Sequence, residues 1–376
     1  MSVRKVAVIF GTRPEAIKLA PVIRELERRQ VEVMNVSTGQ HLSMLWQALD
    51  FFEIKTDYDL GAMHEGQSMS QLLTRIFVDV ESLLRRERPD AVIVQGDTAT
   101  ALGGSLASYF ARIPVAHVEA GLRSFDDSNP FPEEANRSLI ARVARWHFAP
   151  TSTARQNLLR EGIADARVRV TGNTIVDALE WGRKKVRGNH QLTKDELASR
   201  LKTTPQMLER FILVTSHRRE NFGQPMADIC RAICDLEHAR DDVSIIWPVH
   251  LNPSVRREVE RALSGCGPRV VRVEPVNYEL MLYLLEHCTL ILTDSGGIQE
   301  EAAVLRKPVL IMRRATERPE VVDAGIGRLV GTDTRAILDA VDDTLDNAEL
   351  RDRIARVENP FGDGCAAKRI VESLLA

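Results

Sequence analysis

The sequence predicts an α/β protein with two domains in tandem, each built on a parallel β-sheet with helices on both faces. Short runs rich in Val, Ile and Leu alternate with longer amphipathic patterns, and such continuous apolar strands are typical of parallel sheets covered on both sides. The charged stretch at 183–210 separates two sets of these runs and contains no strand candidate. The chain has 376 residues, which is too long for one ordinary domain.

Ten apolar runs are the predicted strands. They cover residues 5–10, 31–36, 91–95, 114–118 and 168–171 in the first half, and 211–215, 243–249, 270–273, 290–293 and 308–312 in the second. Helical patterns such as 70–86 and 226–237 fill the intervals. We place an N-terminal domain at 1–182 and a C-terminal domain at 205–363, and the last helical pattern, 364–376, could pack back on the N-terminal domain. Two such domains predict a cleft that binds a ligand at the carboxyl ends of the strands.

Composition excludes several classes of protein. Hydrophobic residues make up 44% of the chain and charged residues 27%, as in globular proteins with sizeable cores. A net charge of −3 argues against a nucleic-acid-binding protein, which needs a basic excess. No apolar run is long enough for a membrane span or a signal peptide. The 5 cysteines form no CxxC pair, which indicates reduced thiols without a disulfide framework and a cytoplasmic protein.

Charged or glycine-rich residues follow almost every predicted strand. Arg13 follows the first strand, Asp97 and Glu119 follow two later strands of the first half, and His217 and the run 293–297 follow strands of the second half. Structural turns rarely supply so many ionisable groups. The pattern therefore predicts a polar site for an anionic ligand, with groups for acid–base chemistry.

Ser295-Gly296-Gly297 opens a helical pattern and has the character of a phosphate-binding turn. Two glycines would let a ligand approach the backbone, and the start of a helix presents unpaired N–H groups to an anion. A tight turn with a serine cap is an equally good interpretation of these three residues alone. Glu301 could reach a ribose and Arg318 a phosphate, although a surface glutamate and an ordinary helix start explain them as well.

Three carboxylates are candidates for acid–base catalysis. Asp97 also stands where a helix N-cap belongs, and Glu133 stands at a helix start, where acidic residues complement the dipole. Glu119 lies between a buried strand and Ala-Gly, where a carboxylate has no evident structural role. Singly, each fits a structural role better; together with His217 they favour catalysis. The nine histidines show no metal-ligand spacing and no glycine-rich nicotinamide fingerprint is present, so neither a metal nor another cofactor is expected.

Nine motifs in fixed order carry a family resemblance: GTRPEAIK, QGDTATAL, HVEAGLRS, PEEANR, TGNTIVDAL, HRREN, PVHLNP, TDSGGIQEE and TERPE. From Val6 to about Gly364, the chain resembles the non-hydrolysing UDP-N-acetylglucosamine 2-epimerases. The resemblance implies a GT-B-like fold of two Rossmann-like domains with the nucleotide sugar in the interdomain cleft, usually as a homodimer. It also implies interconversion of UDP-GlcNAc and UDP-ManNAc without NAD or metal, which feeds the synthesis of surface polysaccharides.

The resemblance also implies roles for individual residues. The implied catalytic residues are Asp97, Glu119, Glu133 and His217. The implied contacts to UDP are Arg13, Lys18, His250, Asn252, Tyr278, Ser295, Gly296, Gly297, Glu301 and Arg318.

The implied chemistry fits these residue types. The C2 proton of the sugar is poorly acidic, so its removal becomes feasible if the C1–O bond to UDP breaks first or together with it. Cations and the helix start at Ser295 would stabilise the departing diphosphate. Proton transfer on two faces of C2 needs at least two acid–base groups, and the sequence leaves open which carboxylate serves which face.

Departures from the family pattern keep further functions open. Ser216 replaces the usual Gly or Ala before His217. Arg314 replaces an Asp and could form an ion pair with an extra carboxylate on the substrate, as in an epimerase acting on a uronic acid. The motifs are also compatible with a GT-B glycosyltransferase and with a catalytically silent UDP-sugar-binding protein. Ser43 stands where members activated allosterically by UDP-GlcNAc carry a second Gln, so that regulation is not expected.

Overall fold

The chain folds into two compact α/β units, each with a single parallel sheet. The computed structural model describes residues 3–39, 42–64, 66–128, 130–188, 194–249 and 253–376, so the predicted contacts His250 and Asn252 lie outside the described residues. Unit 1 comprises Met1–Trp181 and Phe361–Ala376, and unit 2 comprises Gly182–Pro360. The prediction of an α/β protein with two doubly wound sheets is confirmed.

Unit 1 holds the first seven strands. They are β1 (Lys5–Phe10), β2 (Glu32–Ser37), β3 (Tyr58–Asp59), β4 (Ala91–Gln95), β5 (Val115–Val118), β6 (Trp146–Ala149) and β7 (Val168–Val170). The helices between and after them are α1 (Arg13–Arg28), α2 (Leu42–Phe52), α3 (Met69–Glu87), α4 (Ala99–Phe110), α5 (Glu133–Val143), α6 (Ser152–Arg160) and α7 (Thr174–Gly188), with a 3-10 turn at Asp165–Arg167. The strands lie in the order β3-β2-β1-β4-β5-β6-β7.

Unit 2 holds the other six strands found among the described residues. They are β8 (Phe211–Thr215), β9 (Ser244–Pro248), β10 (Val270–Val273), β11 (Leu290–Thr293), β12 (Val309–Ile311) and β13 (Gly327–Leu329). Its helices are α8 (Lys194–Arg200), α9 (Gln224–Ala239), α10 (Pro253–Ala262), α11 (Tyr278–His287), α12 (Gly296–Leu305), α13 (Pro319–Asp323), α14 (Thr334–Asp346) and α15 (Ala348–Arg356), with 3-10 turns at Pro205–Leu208 and Arg219–Asn221. The strand order is β10-β9-β8-β11-β12-β13.

Both sheets reverse their strand order at one point. The reversal lies between β1 and β4 in unit 1 and between β8 and β11 in unit 2, and both pairs are parallel. In open α/β sheets, ligands bind at the carboxyl ends of the strands that flank such a switch point. The loops that follow these four strands are therefore where each unit should hold its functional residues.

The last helix, α16 (Ala366–Leu375), belongs to unit 1. Its start is capped by Asp177 of α7, whose carboxylate accepts hydrogen bonds from the backbone N–H groups of Ala366 and Ala367 at 3.2 and 3.0 Å. Arg29, directly after α1, forms a 3.0 Å ion pair with Glu372 of α16. No described helix combines the length and the hydropathy needed to cross a bilayer.

Three strands and one disulfide differ from the sequence-based expectations. Strands β3, β6 and β13 were not among the ten predicted runs, because β3 and β13 have only two and three residues and β6 reads Trp-His-Phe-Ala without a β-branched side chain. The expectation of reduced cysteines without a disulfide is wrong for one pair, since Cys234 and Cys266 are joined. Their Cα atoms lie 5.1 Å apart, a separation suited to a bridge, although 32 positions separate them in the sequence.

Candidate active site

Glu15 joins the two loops at the switch point of unit 1. It lies in the first turn of α1, and only 1% of its surface is exposed. Its carboxylate accepts hydrogen bonds from the Gly11 and Thr12 N–H groups at 3.0 and 2.8 Å, and from the Thr12 hydroxyl at 2.8 Å. It also accepts one from the hydroxyl of Thr98, directly before α4, at 2.6 Å. Burial raises the pKa of Glu15 to about 7, although these four donors act to lower it.

Asp97 is not the cap of the helix that follows it. Thr98 has that role, because its hydroxyl accepts a hydrogen bond from Ala101 N at 3.0 Å. The carboxylate of Asp97 accepts hydrogen bonds from the guanidinium of Arg137 on α5, with Nε at 2.8 Å. Asn136 donates to the backbone oxygen of Asp97 at 2.7 Å. The capping interpretation of Asp97 is therefore wrong, and its carboxylate is oriented by α5.

Glu119 occupies a strained backbone conformation at the end of β5. Its φ of +64° lies in the left-handed region, which side chains other than glycine rarely adopt and which is often found at functional sites. The carboxylate forms a buried ion pair with Lys18 of α1. It also accepts a hydrogen bond from Asn173 at 3.2 Å. A Cβ atom placed on Gly96 would lie 4.0 Å from Glu119 Oε1, so this carboxylate lies beside the residue that precedes Asp97.

Glu133 begins α5, and its neighbour Glu134 has a separate, structural role. Glu134 is buried and accepts hydrogen bonds from the N–H groups of Ser124 and Phe125 at 3.0 and 3.1 Å, which fixes the loop before α5. Glu133 lies one turn before the residues that bind Asp97. Unit 1 thus brings the loop of Asp97, the carboxylate of Glu119 and the start of α5 to one end of its sheet.

Asp294 joins the two loops at the switch point of unit 2. It follows β11, is fully buried, and accepts hydrogen bonds from the N–H groups of His217 and Arg218 at 3.0 Å each. The Ser216 hydroxyl and the Asn221 amide donate to it at 2.7 and 2.9 Å. The predicted catalytic residue His217 is thereby anchored through its backbone, while 39% of its side chain is exposed.

The start of α12 has the features of an anion site. Ser295 occupies the N-cap position, but its side chain makes no capping hydrogen bond, which argues against a purely structural cap. An added Cβ atom on Gly296 would lie 2.5 Å from Nη1 of Arg318, so a larger residue here would displace that guanidinium. A Cβ atom on Gly297 would meet only Ser295 Oγ, at 4.0 Å. A positive side chain therefore lies against the start of this helix, where an anion would meet both the guanidinium and the helix N–H groups.

Buried carboxylates hold Arg318 in this position. Glu300 and Glu317 accept hydrogen bonds from its guanidinium at 2.8 and 2.6 Å. Glu317 also binds Arg313 at 2.7 Å. These supporting residues were not predicted from the sequence, although the runs QEE and TERPE contain them. The remaining predicted UDP contacts of unit 2, Glu301 and Tyr278, are buried rather than surface residues, with 7% and 3% exposed.

Within the described ranges, no three His, Cys, Asp or Glu side chains are grouped as ligands of a metal ion would be. Two doubly wound parallel sheets, one with a carboxylate cluster and the other with a helix-start anion site, define an α/β protein of two Rossmann-like units.

Comparison with known proteins identifies the family. Residues 24–375 match the family model for UDP-N-acetylglucosamine 2-epimerase. The UDP-N-acetylglucosamine 2-epimerases of Escherichia coli K12 and Salmonella typhimurium are 47% and 48% identical to this chain over 374 residues, which are 98% of each chain. The chain belongs to the UDP-N-acetylglucosamine 2-epimerase family.

Solved structures agree with this assignment. The UDP-GlcNAc 2-epimerase of Neisseria meningitidis, crystallised with UDP-GlcNAc, is 43% identical, covers 99% of both chains and superposes with a TM-score of 0.94. The UDP-GlcNAc 2-epimerase of Methanocaldococcus jannaschii, in complex with UDP-GlcNAc and UDP, is 35% identical over 98% of this chain and 99% of the other, with a TM-score of 0.87.

The bonds of Glu15 lead to a stability prediction. In Glu15→Ala, buried donors of the two loops lose their acceptor, and we expect the free energy of unfolding to fall by about 2–4 kcal/mol. Glu27→Ala, an exposed position on the same helix, should change it by less than about 0.5 kcal/mol. Urea unfolding measures both variants. Equal effects of the two substitutions would contradict the bridging role.

A second variant at this position, Glu15→Gln, tests the protonation of Glu15. The pKa of Glu15 is raised from 4.5 to about 7, so the folded protein holds the proton more tightly than the unfolded chain does. Wild-type stability should therefore fall as the pH rises from about 4.5 to about 7. The Gln variant lacks this titration, so its stability relative to wild type should rise over the same range, by at most about 1.4 kcal/mol per pH unit. A flat difference would contradict the raised pKa.

Proposed function

We propose that this protein catalyses the reversible C2 epimerisation of UDP-GlcNAc to UDP-ManNAc, by elimination of UDP and its re-addition. The proposal rests on one observation in a member of this family. The segments that carry Asp97, Glu119 and Glu133 lie together at one end of the sheet of unit 1. Epimerisation at a carbon that bears a poorly acidic proton needs acid–base groups on both faces of the sugar, and this cluster can supply them. The product would feed the synthesis of ManNAc-containing surface polysaccharides.

The first half-reaction is an anti-elimination. A carboxylate of the set Asp97, Glu119 and Glu133 takes the C2 proton, and the electrons of the C2–H bond form a double bond between C1 and C2. The C1–O bond breaks, and UDP leaves with its electron pair. The products of this step are 2-acetamidoglucal and UDP, both retained by the enzyme.

The second half-reaction restores the bond to UDP. A protonated group delivers a proton to the opposite face of C2, and an oxygen of the UDP β-phosphate adds to C1. No electrons are gained or lost overall, so the sequence of steps needs neither an oxidant nor a reductant. Kinetic comparison of the single carboxylate variants would assign each carboxylate to one face of C2.

Unit 2 would stabilise the negative charge that develops on UDP. The N–H groups at the start of α12 and the guanidinium of Arg318 are fixed before the reaction, because Glu300 and Glu317 already hold that guanidinium. Preorganised donors of this kind stabilise a developing anion more than mobile ones do. The partly exposed side chain of His217 would be a further donor to the diphosphate.

The direct test is turnover of UDP-GlcNAc in deuterium oxide. We expect UDP-ManNAc that carries one deuterium at C2, formed without any added acceptor. Asp97→Asn should lower the rate by about 100-fold or more, since it removes an acid–base group and keeps the size of the side chain. Product without deuterium at C2 would refute the mechanism, and transfer of the sugar to an acceptor without epimer formation would indicate a glycosyltransferase.

Lys18 and Arg13 allow a sharper test of roles within unit 1. The resemblance assigns both cations to UDP, but the structure places Lys18 against Glu119. We therefore expect Lys18→Gln to lower turnover strongly and to leave the dissociation constant of UDP within about 3-fold of wild type, because the residue acts on the carboxylate. Arg13→Gln should weaken UDP binding by about 10- to 100-fold.

Calorimetric titration with UDP and the epimerisation rate measure the two effects. Lys18→Arg, which keeps the charge, serves as the control for the ion pair. If Lys18→Gln lost as much affinity for UDP as Arg13→Gln, Lys18 would be a contact of the diphosphate and the expected role would be wrong.

A further inference from the structure

We propose that Asp294 is a positioning residue for His217, and that Ser216 is part of the same device. The inference rests on the proposed function, in which His217 acts on the substrate. Asp294 would not touch the substrate. It would fix the loop after β8 and thereby hold the imidazole of His217 in the position from which it acts on the substrate.

The contacts of Asp294 converge from one loop. Ser216, His217 and Arg218 are consecutive, and each donates a hydrogen bond to its carboxylate, while Asn221 donates from the turn that follows. All these bonds are 3.0 Å or shorter. A charged acceptor with four donor groups is a strong and directional anchor. The loop is thus held at the residue that carries the imidazole and on both sides of it.

The surroundings make this anchor rigid. β8 and β11 are adjacent parallel strands, and their last residues, Thr215 and Thr293, form a hydrogen bond between their hydroxyls at 2.6 Å. Asn221 also donates to the backbone oxygen of Met312 at 3.3 Å. Asp294 therefore binds the loop after β8 to the ends of two strands that are themselves joined by a hydrogen bond.

The imidazole itself lies beside the anchor. Nδ1 of His217 is 3.6 Å from Oδ1 of Asp294, which is an electrostatic contact. A small shift of a catalytic group can lower a rate by about 100-fold, so the anchor matters for turnover as well as for stability.

Ser216 adds a side-chain donor to the backbone donors of this loop. Its side chain is buried, with 2% exposed, and its hydroxyl donates to Asp294 Oδ2 at 2.7 Å. Because Ser216→Ala removes only the side-chain oxygen and leaves the backbone donors in place, it should fold normally and lose a single bond of the anchor.

The first experiment measures backbone hydrogen exchange and needs no substrate. In Asp294→Asn, the acceptor of these four bonds loses its negative charge and each bond is weakened, so the amides of residues 216–221 should exchange at least about 10-fold faster than in wild type. The amides of β8 and β11 should keep their protection. Asp235→Asn, on the outer part of α9, is the matched control and should leave the loop unchanged. Unchanged protection of 216–221, or equal loss throughout unit 2, would overturn the inference.

The second experiment is a double-mutant cycle on epimerisation. Ser216→Ala should lower kcat by about 3- to 10-fold, and the same substitution in a His217→Asn background should have no further effect, because it acts through the imidazole. An unchanged kcat, or an equal loss in both backgrounds, would overturn the role of Ser216.

The two experiments separate this inference from the proposed function. A wild-type protein with a protected loop but no activity on UDP-GlcNAc would refute the proposed function alone. An active wild type whose Asp294→Asn variant exchanges and turns over normally would refute the positioning role alone.

Discussion

Buried carboxylates that tie together neighbouring loops are the interaction on which the candidate residues of both units depend. In unit 1, Glu15 joins the loop after β1 to the loop after β4, and in unit 2, Asp294 joins the loop after β8 to the loop after β11. Both bridges lie at the point where the strand order reverses. The connections diverge to opposite faces of the sheet there, and each carboxylate links the two loops that leave the sheet in these different directions.

The two units use charge in opposite ways. Unit 1 gathers carboxylates and holds them with cations, as Arg137 holds Asp97 and Lys18 holds Glu119. Unit 2 gathers cations and backbone N–H groups at α12, and its carboxylates serve to orient Arg318. A negatively charged leaving group fits the second arrangement, and proton transfer fits the first. The two arrangements fit the proposed elimination and re-addition of UDP.

Sequence reasoning could find the sheets and the chemical groups, because strand patterns and residue types are local signals. The strand at Phe211–Thr215 and the helix that starts at Gly296 are examples that it located closely. It missed the bridges, since Glu15 and Thr98 are 83 positions apart and Ser216 and Asp294 are 78 apart. Glu15 reads locally as part of a capping box, which accounts for only part of its contacts. The pairing of Lys18 with Glu119 was likewise beyond a one-dimensional pattern, because it joins residues 101 positions apart.

The proposed epimerisation depends on cleavage of the C1–O bond, and positional isotope exchange detects that cleavage in recovered UDP-GlcNAc. UDP-GlcNAc is prepared with oxygen-18 in the bridge between C1 and the β-phosphorus, incubated with the enzyme, recovered and examined by phosphorus NMR. If UDP leaves and re-adds, the label will move into the non-bridging positions of the β-phosphate in the recovered UDP-GlcNAc. A label that stays in the bridge while UDP-ManNAc accumulates would contradict the elimination mechanism.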